Sequence, residues 1–187
     1  MTQTELLIKD LNLILQCTES IGLNIFLHAG TLLGAIRNNS FIPGDADFDF
    51  GLFRKDFTNE MKQKLIDTFI GKNMEFKGFE CKAFIQRVEF GDRPYVVKFW
   101  SPNAHYNTDF WVFEERENDF YQRGWCGYFY YPKDTLLTLD KIEFYGLNVN
   151  VPHNPEKFLE NMYGKNWRTP QKMKKPEGYF NWKKELI

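Results

Sequence analysis

Three cysteines, Cys17, Cys81 and Cys126, stand far apart and never form a C-x-x-C pair, which excludes a disulfide framework and a zinc knuckle. Histidine is as sparse. His28, His105 and His153 are scattered, and none is assigned a metal. No apolar run approaches the roughly 20 residues that a membrane-crossing helix needs, and residues 1–5 do not follow the basic-then-apolar order of a secretory leader. A cytoplasmic protein without a transmembrane segment is the expectation. An excess of either charge is missing too: 24 Lys and Arg against 25 Asp and Glu give a formal net charge of -1. Apart from Lys172, Lys174 and Lys175 there is no basic cluster to neutralise a polyphosphate backbone, so nucleic acid is not the expected partner.

What is present suits one domain over residues 1–187, since 43% of the residues are hydrophobic and the chain is long enough to bury a substantial core. The 19 Phe, 9 Tyr and 5 Trp supply most of the bulk for that core.

Leu7, Leu11, Ile14, Leu15, Thr18 and Ile21 recur at helical spacing behind a capping box of Thr2 and Glu5, which predicts an amphipathic helix ending near Gly22. A short apolar run over 24–27 reads as a buried strand that passes through Gly30 and Thr31 into a brief helix over 32–37. Residues 56–70 predict a surface helix closed by Gly71. From 75 to 113 the chain reads as short antiparallel strands, with a turn over 91–94 between runs at 83–90 and 95–100. A hairpin around Tyr145 and Gly146 and a helix over 155–162, with Pro155 at its start and Gly164 beyond its end, complete an α+β pattern.

The stretch over 46–52 alternates acid and apolar residue, so on a strand Asp47 and Asp49 share one face and Phe48 and Phe50 the other. Two neighbouring carboxylates repel each other, and a hard divalent cation such as Mg²⁺ is the simplest remedy. Asp109 interrupts the apolar strand 108–113, where a buried charge needs a cation or a strong donor. The glycine-opened helix offers backbone N–H groups to a phosphate. Two readings stand for Arg37 at its end, a fork of phosphate donors or a solvated residue favoured by the helix dipole. Lys98 is likewise a phosphate partner or an exposed strand lysine. Asp45 reads as a loop acid or as an outer partner of the site, and Tyr163 and Trp167 as packing of the last helix or as lining of an acceptor groove.

Residues 30–37 (GTLLGAIR) followed by 41–49 (FIPGDADFD) closely resemble the LicD family, which includes bacterial phosphocholine transferases and the fukutin-related proteins. Asp109-Phe110, Val151-Pro152, Met162-Tyr163-Gly164 and residues 167–170 (WRTP) are similar to that family's later segments and follow in its order, so the likeness runs over about 5–172. The resemblance implies a nucleotidyltransferase-like fold, a mixed or antiparallel sheet flanked by helices. It also implies transfer of a phospho-alcohol, such as phosphocholine or ribitol phosphate, from a CDP-alcohol donor to a glycan acceptor.

By the same resemblance Asp47, Asp49 and Asp109 hold Mg²⁺ or Mn²⁺ as catalytic residues; Gly30, Thr31, Arg37 and Lys98 are the substrate-binding candidates that the chain's own pattern offers. A lipid-linked acceptor would bring the protein to a membrane surface. The chain departs from the family at Ala29, where glycine is usual, at Asn38, often His, at Gly44, usually Trp, and at Ala46, usually acidic. Two other readings use the same residues: nucleotidyl transfer from a nucleoside triphosphate, and an inactive member that binds a glycan or a partner protein.

Overall fold

The computed structural model describes residues 1–45, 47–80, 95–101, 106–124, 127–170 and 182–183. Helix α1, Gln3–Ser20, begins at the expected capping box: Glu5 N–H donates to Thr2 Oγ1 at 3.2 Å, and Thr2 N–H donates to Glu5 Oε2 at 2.7 Å. Its buried stripe is Leu7, Leu11, Ile14, Cys17 and Thr18. Strand β1, Ile25–Leu27, leads into helix α2, Ala29–Asn38, which starts three residues earlier than the sequence pattern suggests. The chain turns directly from strand to helix because Ala29 adopts φ 41°, and it leaves the helix through the left-handed Asn39.

Strand β2, Asp47–Phe53, is followed by a 3-10 turn over Arg54–Asp56 and then by helix α3, Asn59–Ile70. The expected helix from residue 56 is thus divided, because the Thr58 hydroxyl accepts from Met61 N–H at 3.1 Å and fixes the start. Gly71 does cap α3, although the left-handed position falls on Asn73. Strands β3, Glu75–Glu80, and β4, Val96–Ser101, form an antiparallel pair. The expected run at 83–90 and turn at 91–94 lie outside the described residues.

Strand β5, Tyr106–Glu115, is the centre of the sheet. One of its edges carries β2 in parallel register, and the other is shared by β4 along Tyr106–Trp111 and by β6, Asp119–Arg123, further on. β7, Tyr128–Pro132, and the two-residue β10, Trp182–Lys183, extend this side. The sheet is mixed, with eight strands among the described residues. The sequence pattern did not mark β6, since the β5–β6 turn closes through Arg116 N–H to Asp119 C=O with neither glycine nor proline in it.

Aromatic rings fill both faces. On one, Phe69 of α3 packs 4.6 Å from Phe99 and 5.6 Å from Phe110, and Phe50 stacks on Phe110 at 5.5 Å. On the other, the His28 ring meets Phe113 at 5.1 Å and Phe158 at 6.0 Å, the latter from helix α4, Pro155–Tyr163. Gly51 of β2 permits this second layer: a Cβ there would stand 2.1 Å from the Phe26 ring, itself held between Phe53 and Phe113. The hairpin of β8, Leu139–Phe144, and β9, Leu147–Pro152, turns through Tyr145 and Gly146 at φ 53° and 77°, the primed turn that matches strand twist. It docks on β1, where Asn150 donates to the Ile25 carbonyl at 3.0 Å.

Candidate active site

Period two along β2 puts Phe48 and Phe50 in the core and Asp47 and Asp49 on the opposite face. Parallel pairing then sets Asp49 directly against Asp109 on β5, and antiparallel pairing on the other edge of β5 sets Lys98 against the same Asp109. Three strands therefore deliver two acids and one base side by side at one level. One oxygen each from Asp47, Asp49 and Asp109 can be grouped within 4.8 Å of one another.

Each acid has a defined neighbour. Lys98 Nζ donates to Asp109 Oδ2 at 2.6 Å, with the lysine partly exposed and the aspartate buried. Asp49 accepts from Trp111 Nε1–H at Oδ1, 2.8 Å, and from Gly30 N–H at Oδ2, 3.3 Å. Its own backbone is tied to the start of α2: Asp49 N–H donates to Thr31 Oγ1 at 2.9 Å, and His28 N–H donates to the Asp49 carbonyl at 3.0 Å. Thr31 is buried, so its hydroxyl fastens α2 to β2. The positive end of the helix thereby faces a carboxylate.

Asp45, read from sequence as a loop acid, also reaches the cluster. A Cβ at Gly30 would lie 2.5 Å from Asp45 Oδ2, so the glycine leaves room for this approach. Burial first, and then the Asp45 charge, push the Asp47 carboxyl above its ordinary pKa, while Lys98 pulls it back. Asp49 is pushed up much further, by burial and by the Asp47 charge, against the Trp111 hydrogen bond. Burial and the charges of Asp45, Asp47 and Asp49 raise the Tyr106 phenol as well.

This is a site with an excess of negative charge and only oxygen donors among its clustered ligands. Such donors fit a hard divalent cation, Mg²⁺ or Mn²⁺, better than zinc or copper. The structure gathers Asp47, Asp49, Asp109, Lys98, Gly30 and Thr31. Arg37 is seven residues beyond Gly30, about 10 Å of helix rise, at the other end of α2. Its Nε is buried with no hydrogen-bond partner among the described residues. Sequence reasoning missed Trp111, whose signal was its place two residues after Asp109 on one strand, and Tyr106, for which there was none.

Strand-borne carboxylates thus stand beside the start of a short helix on a mixed sheet flanked by helices. The model of the LicD/FKTN/FKRP nucleotidyltransferase domain matches residues 22–154, and the chain belongs to this family. Among curated relatives, "Ribitol 5-phosphate transferase FKRP" from Mus musculus and from Homo sapiens are each 28% identical over 149 residues, covering 78% of this chain and 28% of the relative. "Ribitol-5-phosphate transferase FKTN" from Macaca fascicularis is 24% identical over 168 residues, covering 87% of this chain and 33% of the relative. The chain thus spans about a third or less of these relatives. Among solved structures, ANT(2")-Ia in complex with adenylyl-2"-tobramycin is similar over 81% of this chain and 70% of that one, at 12% identity and a TM-score of 0.47.

Proposed function

We propose that this chain transfers a phospho-alcohol from a CDP-alcohol donor to a sugar hydroxyl of a glycan. The observation that carries the reading is the Asp49–Asp109 register, which brings carboxylates from two strands into one cluster with Asp47 beside Lys98. Family membership and the ribitol-phosphate transferases among the relatives support the choice of donor. Asp47, Asp49 and Asp109 are the residues that would hold Mg²⁺ or Mn²⁺. Bound there, the ion would supply charge neutralisation and Lewis acidity to the donor's diphosphate.

The chain's own residues do the rest. Lys98, partly exposed at the rim, binds a phosphate oxygen of the donor. Gly30 and Thr31 hold Asp49 in place through the start of α2. The acceptor hydroxyl attacks the distal phosphorus, the phosphoanhydride bond breaks, and cytidine monophosphate leaves; the hydroxyl proton passes to a site carboxylate or to water. Positioning and charge neutralisation account for most of the acceleration in such reactions.

No helix among the described residues is long and apolar enough to cross a membrane. We place the reaction in the cytoplasm on a surface-glycan precursor, with membrane contact through a lipid-linked acceptor and no nucleic-acid partner. Incubation with CDP-ribitol, CDP-choline and related donors, together with glycan acceptors, should release cytidine monophosphate in a divalent-dependent manner. Release of pyrophosphate from a nucleoside triphosphate instead would reject the assignment.

A further inference from the structure

We propose that Trp111 is a positioning residue that orients Asp49 for the divalent ion, an inference that rests on the function proposed above. The indole lies among the charged groups in an arrangement that suits its own charge distribution. Its N–H edge, the positive part of the ring, donates to Asp49 Oδ1 at 2.8 Å. Its face, the negative part, looks toward Lys98 Nζ at 5.8 Å from the ring centroid. One side chain thus reaches both Asp49 and the lysine of the cluster.

The backbone register explains how it gets there. Trp111 follows Asp109 by two residues, so it projects on the same face of β5, and its partner across the parallel pair is Gly51. Asp49 lies two residues before Gly51, diagonally across from Trp111, a spacing that an aromatic side chain can bridge. Fixing Oδ1 on the indole turns Oδ2 toward Gly30 N–H at 3.3 Å. Held at both oxygens, the carboxylate keeps a single orientation, and outer partners of this kind tune a metal site strongly.

The test is Mn²⁺ binding to the full chain without donor, followed by electron paramagnetic resonance, for the wild type and Trp111→Phe, which keeps an aromatic ring and removes the donor. Mn²⁺ affinity is expected to fall roughly 10- to 100-fold in the variant. Indole emission of the wild type should respond to Mn²⁺, and most of that response should vanish in Trp111→Phe. Should Phe fail to fold, 3-benzothienylalanine at position 111 keeps the shape of tryptophan without its N–H and is expected to give the same loss. Wild-type affinity in either folded variant overturns the positioning role. A wild type that takes up no Mn²⁺ overturns the proposed function itself and the role of Trp111 with it.

Discussion

Asp49 and Asp109, sixty residues apart in the chain, face each other directly across the one parallel strand pair of the described sheet. The pairing joins the D-x-D segment to a lone acid that the chain reaches only after α3, β3 and β4. A one-residue slip would turn the whole acidic face of β2 into the core, so the buried Phe48 and Phe50 enforce the register that assembles the site.

Replacing Asp49 by Asn should lower cytidine monophosphate release by at least about a hundredfold, in the range seen when one electrostatic element of an active site is removed. The same change removes a buried charge crowded by Asp47 and Asp109, so the metal-free variant should melt no lower than the wild type. Mg²⁺ should raise the melting temperature of the wild type alone. A variant that turns over normally would remove Asp49 from the site.

Lys98 donates to Asp109 Oδ2, and its charge opposes that of a divalent ion at the same carboxylate. Lys98→Met should therefore bind Mn²⁺ about tenfold more tightly at pH 8, a fraction of the roughly 4 kcal/mol that two unit charges 4 Å apart share near a protein surface. Turnover should nevertheless fall, because the donor phosphate loses its lysine. Calorimetric titration that finds weaker binding would exclude this opposition.

His28 is buried among Phe113, Tyr131 and Phe158, and burial pushes its pKa down to about 3 from 6.5. Below pH 6.5 the unfolded chain takes a proton that the folded chain refuses, so this contribution is intact above 6.5 and is lost as the pH falls toward 3. At pH 5 the loss is about 2 kcal/mol. Asp47 and Asp49, whose folded pKa values are raised, act in the opposite sense, so wild type and His28→Asn must be compared. Urea midpoints should show a smaller stability gap between the two at pH 5 than at pH 7; an equal gap at both would show that His28 does not titrate this way.

Gly51→Ala places a methyl group 2.1 Å from the Phe26 ring, which Phe53 and Phe113 hold in place. Overpacking of this kind should cost about 1–3 kcal/mol, read as a lower urea midpoint with an unchanged slope.

Ala29 presents the reverse case, since its φ of 41° is left-handed and the family resemblance puts glycine there. Ala29→Gly should stabilise the fold by about 0.5–1 kcal/mol, the difference between the steric cost of a Cβ and the entropic cost of glycine. Thermal melts of the two proteins decide it.

Local signals were legible wherever neighbouring residues carry them. The Thr2–Glu5 capping box, the Tyr145–Gly146 turn and the Pro155 helix start all appear where the sequence places them. β6 escaped because its short, largely polar strand follows β5 through a turn with neither glycine nor proline. Asp47 and Asp49 were readable as a pair, because two residues two apart on a strand need no partner strand to share a face.

The sequence by itself determined the helices, the acid alternation on β2 and the family to which the chain belongs, since each rests on periodicity or on adjacent residues. Only the tertiary structure decided that Asp109 meets Asp49, that Lys98 and Trp111 flank them, that Asp45 leans over Gly30 and that Arg37 lies at the far end of α2. Those relations depend on strand register and on close approach across the sheet. Both are set by how the whole core packs, and no local stretch of chain encodes them.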